Sequence, residues 1–463
     1  MAFHSAPFLF FFLPAAWLLS LAASGRGRKY VLIAVSLTFY ACGQWQGLPC
    51  LLLSAAVSCA AGFFMPRVQA KQALLAGTLV FHLLLLGAFK YLDFFTGSLN
   101  QFLGTAIPAA GLLAPLGVSF FTFKSMSYAV DVYRDETAGA RRFSDVLLYI
   151  SFFPQVTSGP ISRFGQFAKG LDCPRVGAEQ TARGLRRFIA GFAKKALISE
   201  MAATVVNTAF SLGEGLDVRM AWLGAIAYTL QIYFDFSGYS DMAIGLGTLL
   251  GFETPENFDY PYISASITEF WRRWHLSLSH WFRDYLYFPL GGGRRGTARK
   301  CLNKAIVFLL CGLWHGASWT FVLWGAWHGL LSAVESALPM ERLQEKPLGR
   351  CLGHVYTLLA VCAGFVVFRA ASVGEAAVVL RAMFTGFALS PASTLALERI
   401  SPAVWCALGA GAAGSLPVVP WLERRLKGGW LEVSSYAGAA ALFVLCLLVA
   451  AGSSFQPFIY AQF

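Results

Sequence analysis

Histidine is the side chain whose proton affinity best suits acid–base chemistry near neutral pH. The chain has seven, and four of them, His275, His280, His315 and His328, fall between Tyr260 and Leu330. His315 lies in Gly312-Leu313-Trp314-His315-Gly316-Ala317-Ser318-Trp319, and His328 repeats the theme as Trp327-His328-Gly329, both within an apolar run at 302–333. A titratable ring in an apolar segment is costly in lipid and marks function. The small residues on both sides of His315 let a neighbouring helix or a thin substrate approach the backbone. His315 and His328 are 13 residues apart, about 20 Å along a straight helix. They can serve one reacting atom only if the helix breaks, and His315 is nearer the middle of the run. His275 follows Phe270-Trp271-Arg272-Arg273-Trp274, and His280 lies five residues on, about 140° around a helix. That spacing is not the i, i+4 pair of a zinc site, and no Cys or carboxylate cluster accompanies it, so no metal is expected.

Charged groups near these rings have two readings each. Arg272-Arg273, and Arg294-Arg295 with Arg299, Lys300 and Lys304, are either cytoplasmic topology signals or a phosphate cradle at the inner membrane surface. In the second reading Arg294 and Arg295 bind the donor, aided by the mobile Gly291-Gly292-Gly293. That triple glycine is not a P-loop, because GxxxxGK[ST] is absent. Asp235 and Asp241, in QIYFDFSGYSD at 231–241, mark a proton path or are paired with arginines. GxSxG is also absent, which excludes the usual covalent serine route.

The elements that must position these groups are membrane helices. The 463 residues are 57% hydrophobic and 13% charged, where soluble domains carry about 25% charged residues. Aromatics reach 15% and include 13 Trp, suited to interfacial belts and a lined cavity. The net charge of +12 sits in short loops between apolar runs, so topology accounts for it and nucleic acid is not an expected partner. The ten cysteines are scattered without CxxC. Cys42, Cys50, Cys59, Cys311, Cys362, Cys406 and Cys446 read as small buried hydrophobes. Residues 7–24 form a first span with no Lys or Arg before it and Arg26, Arg28 and Lys29 behind it, an uncleaved anchor with its N-terminus outside. Further apolar runs occupy about 30–42, 47–64, 73–91, 107–130, 145–160, 187–212, 220–250, 302–333, 354–370, 402–420 and 434–452, giving about 11 spans. Residues 257–300 are too polar to span and too apolar for a free loop, so they are expected to form short re-entrant or interfacial helices.

Several long motifs, in order, resemble one family. They are LGVSFFTFKSMSYAVDVYR, FFPQVTSGPISRF, QIYFDFSGYSDMAIG, PENFDYPYISASITEFWRRWHLSLSHWFRDYLYFPLGG, GLWHGASWTFVLWGAWHG and the aromatic ending FIYAQF. Together they resemble the membrane-bound O-acyltransferase (MBOAT) superfamily, most closely its bacterial alginate O-acetylation branch. D-alanyl transfer proteins of teichoic acid synthesis share the core histidines but less of the flanking sequence. The resemblance implies an all-α integral membrane fold around a central tunnel. It matches the family's invariant histidine to His315 and its second core polar position to His275. The acyl group then comes from a cytoplasmic thioester such as acetyl-CoA and ends on an extracytoplasmic hydroxyl.

The chain therefore reads as one polytopic domain, 1–463, with a motif-bearing core at about 107–333, in the bacterial inner membrane. Its expected activity is transfer of an acetyl or other acyl group toward hydroxyls of alginate or another cell-surface glycan. No cofactor is expected to be bound; the thioester is a substrate. His315 takes the hydroxyl proton, and His275 holds the acyl carbonyl or the acceptor. No segment reads as a soluble appendage, so an extracytoplasmic partner is expected to meet the polymer. A transporter or flippase of a polysaccharide export system is the competing class, but the internal repeats usual in transporters are missing. The topology has a direct test. Site-specific tagging is expected to place residue 1 outside and residues 26–29 inside, and a cytoplasmic residue 1 would reverse every assigned side.

Overall fold

The computed structural model describes residues 1–135, 142–172, 176–338, 340, 344–425, 429–452 and 458–459. Residues 460–463 of the aromatic ending lie outside the described residues. Among the described residues the regular structure is helical, and a single antiparallel bridge pairs Phe258 with Trp274. Four helical stretches have the length and apolar composition to cross a membrane: Gly25–Phe64, Lys71–Leu103, Pro347–Arg369 and Ser434–Gly452. Phe8–Ala22 and Pro402–Gly414 are apolar but shorter. Large apolar side chains such as Leu84, Phe102, Leu358 and Leu448 are exposed, as a lipid-facing surface requires. The chain is an all-α, multi-pass membrane protein.

Three apolar runs differ from the helices they form. The run at 107–130 becomes helical only at Val118, because Pro108, Gly111, Pro115 and Gly117 interrupt what precedes it. The run at 145–160 yields only Phe143–Ser151 before Phe152 and Pro154 turn the chain. The run at 302–333 is two helices, Thr297–His315 and Trp319–Ala337, broken at Gly316 and Ala317. Cys42 and Cys406, read from sequence as buried, are exposed on apolar helices.

The chain gathers into two compact units, Met1–Phe188 with Ser240–Glu256, and Ile189–Tyr239 with Asn257 onwards. In the first unit, α1 (Gly25–Gln44), α2 (Leu48–Phe64), α3 (Lys71–Leu86), α4 (Val118–Arg134) and α5 (Phe143–Ser151) pack together. A buried polar seam ties three of them. His82 of α3 reaches Ser54 at 3.4 Å and Ser58 at 3.2 Å on α2, and Ser54 bonds Ser125 of α4 at 2.9 Å. The basic cluster behind the first span is also engaged. Arg28 donates to the Leu250 carbonyl at 2.6 Å, and Lys29 pairs with Asp145 at 2.7 Å.

The second unit holds the four clustered histidines. It contains the first part of α6 (Val218–Leu249), the short α7 (Ile267–Trp271) and α8 (Leu276–Phe282), then α9 (Thr297–His315), α10 (Trp319–Ala337) and α11 (Pro347–Arg369). The segment 257–300 forms short helical pieces, because Pro261, left-handed His275 and the positive-φ pair Gly291 and Gly292 stop each one. α9 and α10 fold back on each other at closest range where Gly312 meets Phe321 and Gly325. A Cβ on Gly312 would run into the Phe321 carbonyl oxygen. This is the small-residue crossing that lets helix backbones touch.

Overpacking a tight core contact costs about 1–3 kcal/mol. Gly312→Val is therefore expected to lower the Tm of the detergent-purified protein by several degrees. Gly409→Ala, where no atom lies within 4 Å of the Cβ position, is expected to leave the Tm unchanged.

Candidate active site

His315 is the last residue of α9 and is buried, at 3% exposure. Its ring packs edge-on against Trp324 at 5.1 Å and Phe368 at 5.2 Å, and against Trp314 at 5.0 Å. His275 is also buried, at 1%. Phe236 of α6 meets it edge-on at 4.6 Å, and Trp314 lies 6.1 Å from it on another side. The structure thus brings His275 and His315 to the same tryptophan, Trp314, although they are forty residues apart in sequence.

The break at Gly316 changes the reading of His328. The straight-helix separation from His315 does not apply, because α10 returns alongside α9. Trp324 of α10 touches both rings, at 5.1 Å to His315 and 5.0 Å to His328. His328 has a structural task of its own. The indole N–H of Trp271 donates to its Nδ1 at 3.3 Å, and an indole nitrogen can only donate. The proton of neutral His328 therefore sits on Nε2, close to Gly364 of α11.

Seven residues beyond His328, two turns along the same face of α10, Glu335 grips the other end of the same short helix. Its carboxylate accepts from the Ile267 N–H at 2.6 Å, the Thr268 N–H at 2.8 Å and the Thr268 hydroxyl at 2.7 Å. Those are the orphan donors at the start of α7, where a negative charge is favourable. Ser266 caps the same end by accepting from the Glu269 N–H. α7 is thus held at its start by Glu335 and at its last residue, Trp271, by His328.

The residue at 275 is held with comparable care. His275 has φ +46°, in the left-handed region, which costs a non-glycine residue about 1–2 kcal/mol. Three backbone contacts fix the turn: the Phe258–Trp274 bridge, Asp259 N–H to the Arg273 carbonyl at 2.9 Å, and Leu276 N–H to the Asn257 carbonyl at 2.9 Å. The Asn257 side chain lies against the imidazole, its Oδ1 3.1 Å from Nδ1. Burial pushes the His275 pKa down from its ordinary value to about 3, so the ring is neutral at physiological pH.

A cavity of about 500 Å³ opens against Trp271, Leu278 and Cys311. Arg272, Arg283, Lys300 and Lys304 give it a cationic wall; Trp271, Val307, Phe308 and Cys311 give it an apolar one. Cys311 lies one turn before His315 on α9, about 6 Å along the axis. A second cavity of about 650 Å³ shares Thr268, Arg272, Lys300 and Lys304. His280 is exposed and lines the first cavity, whereas Arg294 and Arg295 are exposed and line neither. The cationic wall thus uses the outer members of the basic runs together with Arg283, which sequence reasoning missed.

The two aspartates are placed by salt bridges. Asp235 bonds Lys195 at 2.6 Å, and Lys195 also bonds Glu200 at 2.7 Å. Asp241 pairs with Arg187 at 2.7 Å. Sequence reasoning also missed Asn257, Trp324 and Glu335. Nothing in local spacing marks Asn257 or Glu335, which act on residues 18 and 68 positions away, whereas Trp324 is near His315 in sequence and meets it only because the helix breaks at Gly316.

The structure thus offers two buried histidines that share a tryptophan, and a separate cavity with cationic and apolar walls that comes within one helical turn of His315 at Cys311. Residues 106–366 match the MBOAT, membrane-bound O-acyltransferase family. The chain belongs to that family and is an O-acyltransferase. It is 42% identical over 399 residues to the probable alginate O-acetylase AlgI of Azotobacter vinelandii, covering 83% of this chain and 78% of the relative. The probable alginate O-acetylase AlgI of Pseudomonas putida is 38% identical over 494 aligned positions, with both chains covered in full. The peptidoglycan O-acetyltransferase of Helicobacter pylori is 32% identical, covering 83% of this chain and 80% of the relative.

The clamp on α7 is testable. Glu335→Ala leaves the buried Ile267 N–H without its acceptor, at about 1–3 kcal/mol, and the half-buried Thr268 N–H without its own. It is expected to lower the Tm by several degrees and to reduce transfer with it, while exposed Glu398→Ala changes neither.

Proposed function

We propose that this O-acyltransferase takes an acetyl group from a cytoplasmic acyl thioester such as acetyl-CoA and passes it toward hydroxyls of an extracytoplasmic polysaccharide. Alginate is the first candidate acceptor, because relatives covering most or all of the chain are named alginate O-acetylases. The observation that carries the reading is that His275 and His315 both contact Trp314, while Cys311, one helical turn before His315, lines a cavity with a cationic wall.

The chemistry is an addition and an elimination. The acceptor oxygen attacks the thioester carbonyl, its proton passes to an imidazole, and the thiolate leaves and recovers that proton. One ring takes the proton and the other faces the carbonyl or the acceptor. The phosphates of the donor lie on Arg272, Arg283, Lys300 and Lys304, where paired charges are strongest, and its thiol arm follows the apolar wall toward His315. The inner-membrane location and about eleven crossings around a tunnel belong to the same reading, with shorter and broken helices such as α9 and α10 supplying crossings beyond the four long stretches. An extracytoplasmic partner presents the polymer. Transfer of D-alanine to teichoic acid is the alternative outcome if acetyl-CoA is not used.

Purified protein in detergent is expected to release CoA from acetyl-CoA and transfer its acetyl group. A general base contributes about 10²–10⁴-fold, so His315→Ala and His275→Ala should each lose activity on that scale without loss of folding. His315→Gln keeps hydrogen bonding but cannot take a proton; near-normal kcat in that variant moves the proton to His275. A deletion strain should lose acetyl groups from the acceptor polymer.

The donor wall gives an independent measurement. Arg272→Gln with Lys304→Gln is expected to raise the donor KM about tenfold with a smaller change in kcat, the pattern of lost ground-state binding. Arg294→Gln with Arg295→Gln should leave KM within about twofold, and the reverse result would return the phosphate site to the glycine loop.

A further inference from the structure

We propose that Asn257 is a positioning residue that locks His275 in the Nδ1–H form, so that its Nε2 lone pair receives the hydrogen bond of the acceptor hydroxyl. This rests on the acyltransferase reading of the site and deepens it. Of the two tasks open to His275, holding the acyl carbonyl or holding the acceptor, it selects the second, and because that hydroxyl carries a single hydrogen, His275 is then the imidazole that receives its proton and His315 is the ring left to face the carbonyl.

The assignment follows from which groups can donate. Oδ1 of Asn257 lies 3.2 Å from the backbone N of Ser277 and 2.9 Å from its hydroxyl. A backbone N–H has no acceptor capacity, so the amide atom facing it must be the oxygen, and the orientation of the Asn257 amide is thereby determined. That same oxygen lies 3.1 Å from Nδ1 of His275. Two acceptors cannot share a hydrogen bond, so Nδ1 carries the proton. In the neutral ring this leaves Nε2 with its lone pair. A neutral ring in this form has no N–H to offer a carbonyl from Nε2. It accepts from a group that brings its own hydrogen, and the acceptor hydroxyl is that group. The arrangement is a nitrogen acceptor oriented by a third group, the logic of an activated nucleophile.

Asn257 is fully buried, and so is its backbone link to the residue after His275. One side chain thus fixes the tautomer while its carbonyl fixes the left-handed turn. Phe236 from α6 and Trp314 from α9 close on the ring, and the titratable ring beyond Trp314 is His315.

The experiment uses full-length protein in detergent, labelled with ¹⁵N at histidine, with His275 assigned by comparison with His275→Gln. The wild type is expected to show a protonated Nδ1 and an unprotonated Nε2 at pH 7. Asn257→Leu should show mixed tautomers and lose about 10–100-fold in kcat for acetyl transfer with the donor KM unchanged. Asn257→Asp sets a carboxylate on the Nδ1–H, which favours the imidazolium and raises the His275 pKa by about 1–3 units. Transfer needs the neutral ring, so the acid-side fall of kcat/KM should move to higher pH in this variant. A purely structural asparagine would leave that limb in place.

An Nε2–H signal for His275 in the folded wild type overturns the proposal. So does an Asn257→Asp protein that folds and transfers with an unmoved acid limb. If the Asn257 variants do not fold, the wild-type spectrum alone decides, since it needs no turnover. A wild type with the expected tautomer that transfers nothing from acetyl-CoA overturns the acyltransferase donor instead and leaves the tautomer standing.

Discussion

A polar group carried into an apolar interior must find its partner inside the fold, because lipid offers none. This constraint shapes every feature described above. Lys195 is answered by Asp235 and Glu200, His82 by two serines, the start of α7 by Glu335, and His275 by Asn257. Apart from Lys195 with Glu200, each pairing joins segments separated in sequence. The polar groups are therefore the fasteners of the helices as much as the tools of the site, and their geometry is tighter than hydrophobic packing alone would impose.

Within the second unit this produces a division of labour among four similar rings. His315 and His275 converge on Trp314, while His328 is turned toward Trp271 and anchors a short helix. His280 stays exposed beside the cationic wall. The same residue type thus packs against tryptophans at His315, meets an asparagine at His275, accepts an indole N–H at His328 and lines a cavity at His280. What separates these roles is the partner of one ring nitrogen, not the depth of burial, since His275, His315 and His328 are all buried.

The membrane class and the helical fold were legible in composition and motif, and His315 and His275, singled out there, are both buried. An apolar run with a histidine between small residues can be read one residue at a time. The helix break was half legible. Gly316 flagged close approach, but the apolar pattern continues through it, and hydropathy does not distinguish one long helix from two shorter ones folded together. Asn257 and Glu335 were not legible, because each is defined by an atom it meets across the fold and neither has a local signature. The basic loop misled for a related reason. Arg294 and Arg295 are adjacent charges in sequence, yet the cavities are walled by Arg272, just past the end of α7, and by Lys300 and Lys304 of α9. Twelve apolar runs were countable, while their lengths depended on prolines and glycines that cut them short.

The fold-back of α9 onto α10 bears on how the protein is made. Trp324, which covers His315, follows it by only nine residues. The two helices touch through bare glycine surfaces, so the hairpin can close as soon as both arms have left the ribosome. The imidazole then meets lipid with one contact already made by Trp324, and Phe368 of α11 adds another only when that later helix arrives. A chain that must deliver a buried histidine into a membrane thus carries part of its cover in the next helix and the rest in the helix after it.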